Sequence, residues 1–284
     1  MSKRLFVVGL GFSGLEIARC ARAGGWAVAG SVTTPEKAAR LRVEEGIDAG
    51  LLSEAGGALT AATHVVVTVA PGASGDPTFE AVEPHRPRWL GYLSTTGVYG
   101  DRGGGWVDET AEPNPGQTRS RYRLAAEQAW QAWGRARGAA VDVFRLPAIY
   151  GPGRSALDQV REGRAHCVDK PGQVFCRVHV EDIAAAVLAA MDRRAMPPGT
   201  VYNVSDDEPA PQADVISFAC QLLGRPAPVR VPWDEAAPKM SEMARSFYAE
   251  NRRVRNERLK RELGVVLKHP TYREGLRAIA TQGA

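Results

Sequence analysis

A chain of 284 residues, 44% hydrophobic and 24% charged, has the balance of an ordinary soluble globular protein large enough for two lobes. No apolar run approaches the ~20 residues of a membrane span, and the first apolar segment is cut by glycines and lacks a cleavage-site pattern, so a cytoplasmic protein without a signal peptide is expected. The net charge of +4 raises nucleic acid as a partner, but the basic run Asn251-Arg252-Arg253-Val254-Arg255-Asn256 is interleaved with Glu250, Glu257 and Glu262, as on a solvated face. An anionic cofactor or substrate suits that charge better than nucleic acid does.

Leu5 to Val8 form a short continuous apolar run, which predicts a strand buried on both faces of a parallel sheet. Gly9-Leu10-Gly11-Phe12-Ser13-Gly14 follows with the spacing G-x-G-x-x-G. Leu15, Ile17, Ala18 and Ala21 then recur at helical intervals until Gly24-Gly25. Strand, glycine turn and helix together predict a dinucleotide site: the first Gly permits the tight turn, the second lets a pyrophosphate approach the backbone, and the third lets helix pack on strand. The helix N-terminus offers N–H groups and partial positive charge to the phosphates.

Trp26 to Ser31 reads as the second strand. An NAD-selective site places a carboxylate at its end. Ser31, Val32, Thr33 and Thr34 stand there instead, with Lys37 and Arg40 nearby, which favours NADP over NAD. Thr34-Pro35-Glu36 is at the same time a good helix start. Gly46 to Leu52 predicts a third strand and His64 to Pro71 a fourth, whose end at Val69, Ala70 and Pro71 is a candidate cofactor contact. Alternating strands and helices imply right-handed crossovers and a doubly wound α/β sheet. Trp89 to Thr96 predicts a fifth strand ending in hydroxyls. Cys20 and Cys220 fall in apolar helical contexts and are expected in the core, and Cys167 and Cys176 near His166 and His179 match no usual zinc spacing, so no metal site is expected.

Ser94-Thr95-Thr96-Gly97-Val98-Tyr99-Gly100 resembles the S-S/T-x-x-V-Y-G segment of extended short-chain dehydrogenases/reductases, the superfamily of nucleotide-sugar epimerases and dehydratases. Further segments resemble that family in order: Val143 to Gly153 its sixth strand and exit loop, Arg177 to Ala184 its H-V-D-D-x-A helix start, Val201 to Val204 its seventh strand, and Glu262 to Leu276 its C-terminal end. The resemblance implies a Rossmann domain over 1–150 plus 178–208, a smaller substrate lobe over 151–177 plus 209–284, and a homodimer through two helices. The face of Leu124, Ala125 and Trp130 to Trp133 suits either that dimer or burial in the monomer.

The same resemblance places the family's Ser/Thr on Thr95 and a further cofactor contact at Pro147 in the exit loop. Its Tyr-x-x-x-Lys pair aligns on Arg119 and Arg123, so neither usual catalytic residue is present. Arg123 is suited to ribose hydroxyls or an anion, whereas Arg119 cannot readily release a proton. Tyr99, His179, Asp108 and Glu109 are weaker acid/base candidates. Two readings stand open. One is an NADP-dependent oxidoreductase or epimerase acting on a sugar-like or nucleotide-linked, anionic substrate with a non-standard acid/base. The other is a non-catalytic dinucleotide-binding sensor.

Overall fold

Leu5 and Val7 project to one face of a sheet and Phe6 and Val8 to the other, and all four are buried, which is why the first run is apolar without alternation. The computed structural model describes residues 3–193 and 199–282. Seven strands make the sheet, in the order Val201–Asn203, Ala140–Leu146, Trp89–Thr95, His64–Val67, Arg4–Val8, Ala27–Val32, Asp48–Leu51. Every neighbouring pair is parallel. The chain runs outward from Arg4–Val8 in one direction, then returns to pair His64–Val67 on its other side. Between the carboxyl ends of those two strands lies the topological switch point, the place where open α/β sheets bind ligands.

One face of this Rossmann-type sheet is covered by the helices Phe12–Ala23 and Val180–Met191, which meet through Ile17, Ala18, Ile183 and Val187. The other is covered by Thr118–Arg137, whose Trp130 and Trp133 pack against Val65, Tyr92 and Val143. Both tryptophans are therefore spent on the monomer's own core.

The first, second, third and fifth predicted strands hold to within two residues at each end and the fourth ends early, with physical reasons for the differences. Trp26 stays in the core, but pairing starts at Ala27. After Val67 the Thr68 hydroxyl donates to the Val8 and Gly9 carbonyls, so the β-branched run leaves the sheet four residues before Pro71. Cys220 is buried as expected, whereas Cys20 is only half-buried.

A second core, around Leu157, Ile216, Tyr272 and Leu276, joins the helices Ala156–Arg161, Gln212–Leu222 and Tyr272–Gln282. Short parallel pairs, Ala148–Tyr150 with Arg177–His179 and Trp106–Val107 with Arg253–Val254, connect this region to the loops above the main sheet. Among the described residues no helix is long and apolar enough to cross a membrane.

Candidate functional site

The glycine turn is built by close packing. Gly9 has φ +95°, a conformation that disfavours any side chain, and its N–H donates to Ser31 Oγ at 3.0 Å. Leu10 N–H donates to the Ser31 carbonyl at 2.7 Å. A Cβ on Gly14 would lie 2.2 Å from the Gly9 carbonyl oxygen, so helix and turn meet backbone to backbone. A Cβ on Gly11, by contrast, would meet nothing within 4 Å. Open space thus lies over the start of the helix Phe12–Ala23, which has no side-chain cap. Uncapped amides beneath an open surface fit a dinucleotide pyrophosphate.

Of the hydroxyl residues after the second strand, Ser31 is buried and its Oγ accepts the Gly9 N–H, so it holds the glycine turn. Thr34 caps the helix Pro35–Glu44 by accepting the Lys37 N–H at 3.3 Å. Thr33 is exposed, and no carboxylate accompanies it.

A cleft of about 520 Å³ at the carboxyl ends of the strands brings together Ala70, Pro71, Thr95, Arg119, Arg123 and Pro147, and its Arg154 lies over the ring of Phe12 at 5.5 Å. Thr95 Oγ accepts the Gly97 N–H at 3.1 Å, which leaves its own proton to donate. Ser120 joins it there: a Cβ on Gly97 would lie 2.6 Å from Ser120 Oγ and 3.3 Å from Thr95 Oγ. Nothing in the spacing singled out Ser120, since a serine on the first turn of a helix is usually local in its bonding. A neighbouring cavity of about 330 Å³ shares Ala148, Ile149 and Arg154 with the cleft.

The two arginines at the aligned Tyr and Lys positions are used differently. Arg123 Nη1 donates to Leu93 O at 2.8 Å, to Val69 O at 3.2 Å and to Tyr92 Oη at 3.2 Å, so it ties together the ends of the fourth and fifth strands. Arg119 is exposed, lies over the Phe247 ring at 4.6 Å and points Nη1 at Met243 Sδ. No tyrosine is among the described residues lining the cleft. Tyr92, Tyr99 and Tyr150 are buried elsewhere, and burial raises each phenol above its ordinary value, the reverse of what a base near neutrality requires.

The weaker acid/base candidates also have other partners. Tyr99 Oη donates to Asn203 Oδ1 at 2.8 Å, and Glu109 accepts the Asn203 N–H at 2.8 Å. Asp108 accepts from the Thr110 N–H in a local turn. His179 Nδ1 accepts the Glu181 N–H at the head of its helix. His179, Glu181 and His269 do converge, with possible ligand atoms within 4.8 Å of one another. Their carboxylate is already shared between His269 Nε2 at 2.7 Å and Lys268 Nζ at 2.9 Å. Cys167 and Cys176 lie apart, facing Ala213 O and Arg252 O respectively.

Sheet order, glycine turn and crevice define a doubly wound α/β protein of the dinucleotide-binding type. Comparison with known proteins gives the family: residues 27–205 match the NAD dependent epimerase/dehydratase family, and the chain belongs to it. It is 31% identical over 221 residues to protein YeeZ of Escherichia coli (strain K12), a match covering 71% of this chain and 77% of YeeZ. A conserved protein of unknown function from Silicibacter pomeroyi DSS superimposes with a TM-score of 0.90 at 43% identity, over 99% of both chains. UDP-glucuronic acid 4-epimerase from Bacillus cereus, solved in complex with NAD, shares the fold at 17% identity, with a TM-score of 0.78 over 98% of this chain and 96% of its own.

Proposed function

We propose that this protein binds NADP(H) and exchanges a hydride with a carbinol or carbonyl carbon of a sugar-like or nucleotide-linked, anionic substrate. The observation that carries the reading is the open surface over Gly11 and the uncapped helix, whose Phe12 lies under Arg154 of the cleft that holds the Thr95 and Ser120 hydroxyls. The nicotinamide, when bound, is the hydride donor or acceptor. Thr95 and Ser120 hold the reacting oxygen, and the proton that accompanies the hydride is exchanged with water in the cleft. Arg123 braces the strand ends against which the cofactor lies. Arg119 and Arg154, neither with a carboxylate partner among the described residues, supply positive charge for an anionic group.

Preference for NADP(H) rests on the exposed Thr33 and the missing carboxylate at the second strand's end. Fluorescence titration is expected to show NADPH binding at least about tenfold more tightly than NADH, the worth of one charge-assisted contact. Equal affinities would remove the preference, and no binding of either would remove the reading.

A second reading, a dinucleotide sensor without turnover, is favoured by one observation: the aligned Tyr and Lys positions carry arginines, one of them tied to backbone carbonyls. Isotope exchange from labelled NADPH into a panel of nucleotide sugars separates the two. On the catalytic reading Thr95→Ala lowers turnover by about 10²-fold, as loss of an oxyanion donor does, with NADPH affinity unchanged. Exchange absent from the wild type throughout the panel favours the sensor.

A further inference from the structure

Glu250 lines the cleft wall opposite the strand ends, and neither the glycine turn nor the hydroxyl pair uses it. Its side chain is only 8% exposed. Oε2 accepts from Arg252 Nη1 at 2.8 Å, and the same guanidinium nitrogen donates to Gly100 O at 2.7 Å. Oε1 is buried and accepts no hydrogen bond among the described residues. A carboxylate oxygen left so costs stability, and its retention calls for a use.

Neither Gln117 nor Arg119, which share the cleft lining, donates to Oε1. Gln117 Nε2 donates to Ser246 O at 2.8 Å, and Arg119 lies on Phe247 with Nη1 at Met243 Sδ. The loop opposite also makes room, since a Cβ on Gly116 would lie 3.1 Å from Oε1. In this conformation Oε1 has no solvent surface, so a donor meets it after rotation about the last torsion, which is broad and soft for Glu.

We infer that Glu250 is a specificity-determining residue whose Oε1 accepts a hydrogen bond from a hydroxyl or ammonium group of the ligand held in the cleft. This rests on reading the cleft as the substrate site, and it narrows the substrate to molecules that carry such a donor as well as an anionic group. With Arg119 on the same wall, the cleft would then read a donor and an anion side by side.

Crystals of the full chain soaked separately in glycerol and in ethylammonium chloride test it, the two arms distinguishing hydroxyl from ammonium. The expected result is a hydroxyl or ammonium within hydrogen-bond distance of a Glu250 carboxylate oxygen in the cleft. The ammonium density should disappear in Glu250→Gln, whose amide oxygen can still accept from Arg252, and the hydroxyl density in Glu250→Leu, which offers neither a donor nor an acceptor. Oε1 bonded to Gln117 or Arg119, an empty site, or an adventitious additive only, bound equally in the variants, would overturn the inference. NADPH titration of all three proteins is read independently. Failure there removes the dinucleotide reading and leaves the Glu250 result to stand or fall on the soaks.

Discussion

At Gly14 a single added carbon decides whether the turn exists. Its Cβ would sit 2.2 Å from the Gly9 carbonyl, a backbone contact that no rotamer can relieve. Gly14→Ala must therefore lift the helix Phe12–Ala23 off the first strand. The expected cost is about 1–3 kcal/mol by urea denaturation, as for other overpacked sites, with loss of NADPH binding; an alanine variant that binds normally would show that the turn is not the cofactor cradle. Two buried histidines give a second test at this scale. Burial, followed by the Arg88 charge, pushes His64 down to about 4, and burial, followed by His269, pushes His179 down to about 4, against an ordinary value of 6.5. Between these values the unfolded chain takes up protons that the folded chain refuses. The contribution of each neutral imidazole is therefore full above pH 6.5 and is lost as pH falls toward 4. Denaturation midpoints should fall across that window and fall less steeply in His64→Phe; equal slopes in the two proteins would refute the assignment.

The helix Thr118–Arg137 does several jobs along one length. Its first turns present Arg119, Ser120 and Arg123 to the cleft, its middle holds Glu127, and its end buries Trp130 and Trp133. Glu127 sits between sheet and helix, paired with Arg145 Nη2 at 2.8 Å and accepting from the Ser94 hydroxyl, with the Arg145 guanidinium over the Tyr99 ring. Both charges are nearly inaccessible, so removing one leaves the other buried and unpaired. Glu127→Ala is expected to cost about 3–5 kcal/mol, the usual penalty for breaking such a pair, read as a drop in denaturation midpoint. A change under about 1 kcal/mol, typical of exposed pairs, would mean that water reaches the site. The apolar face of Leu124, Ala125 and Trp130 to Trp133 was visible in the sequence, but the partner of Glu127 was not. Arg145 lies 18 residues away on a strand, and only the packing of helix on sheet brings the two together.

For the molecule as a whole, the sequence by itself determined the order of strands and helices, the place of the glycine turn and, by resemblance, the family. These signals are local: apolar runs of strand length, glycines at fixed offsets and hydroxyls at a strand end each act through backbone geometry within a few residues. Resemblance to the family marked Thr95, Arg119, Arg123 and Pro147, and the fold brings all four to one cleft. The tertiary structure alone decided what each group has left to offer. Ser31 proved to be engaged by the glycine turn, Arg123 by backbone carbonyls, and Tyr99 by Asn203. Ser120 came to lie beside Thr95 across Gly97, and Glu250 came to face the cleft with an oxygen unused. Hydrogen-bond capacity is settled by partners distant along the chain, and a side chain is free for chemistry only where those partners are absent.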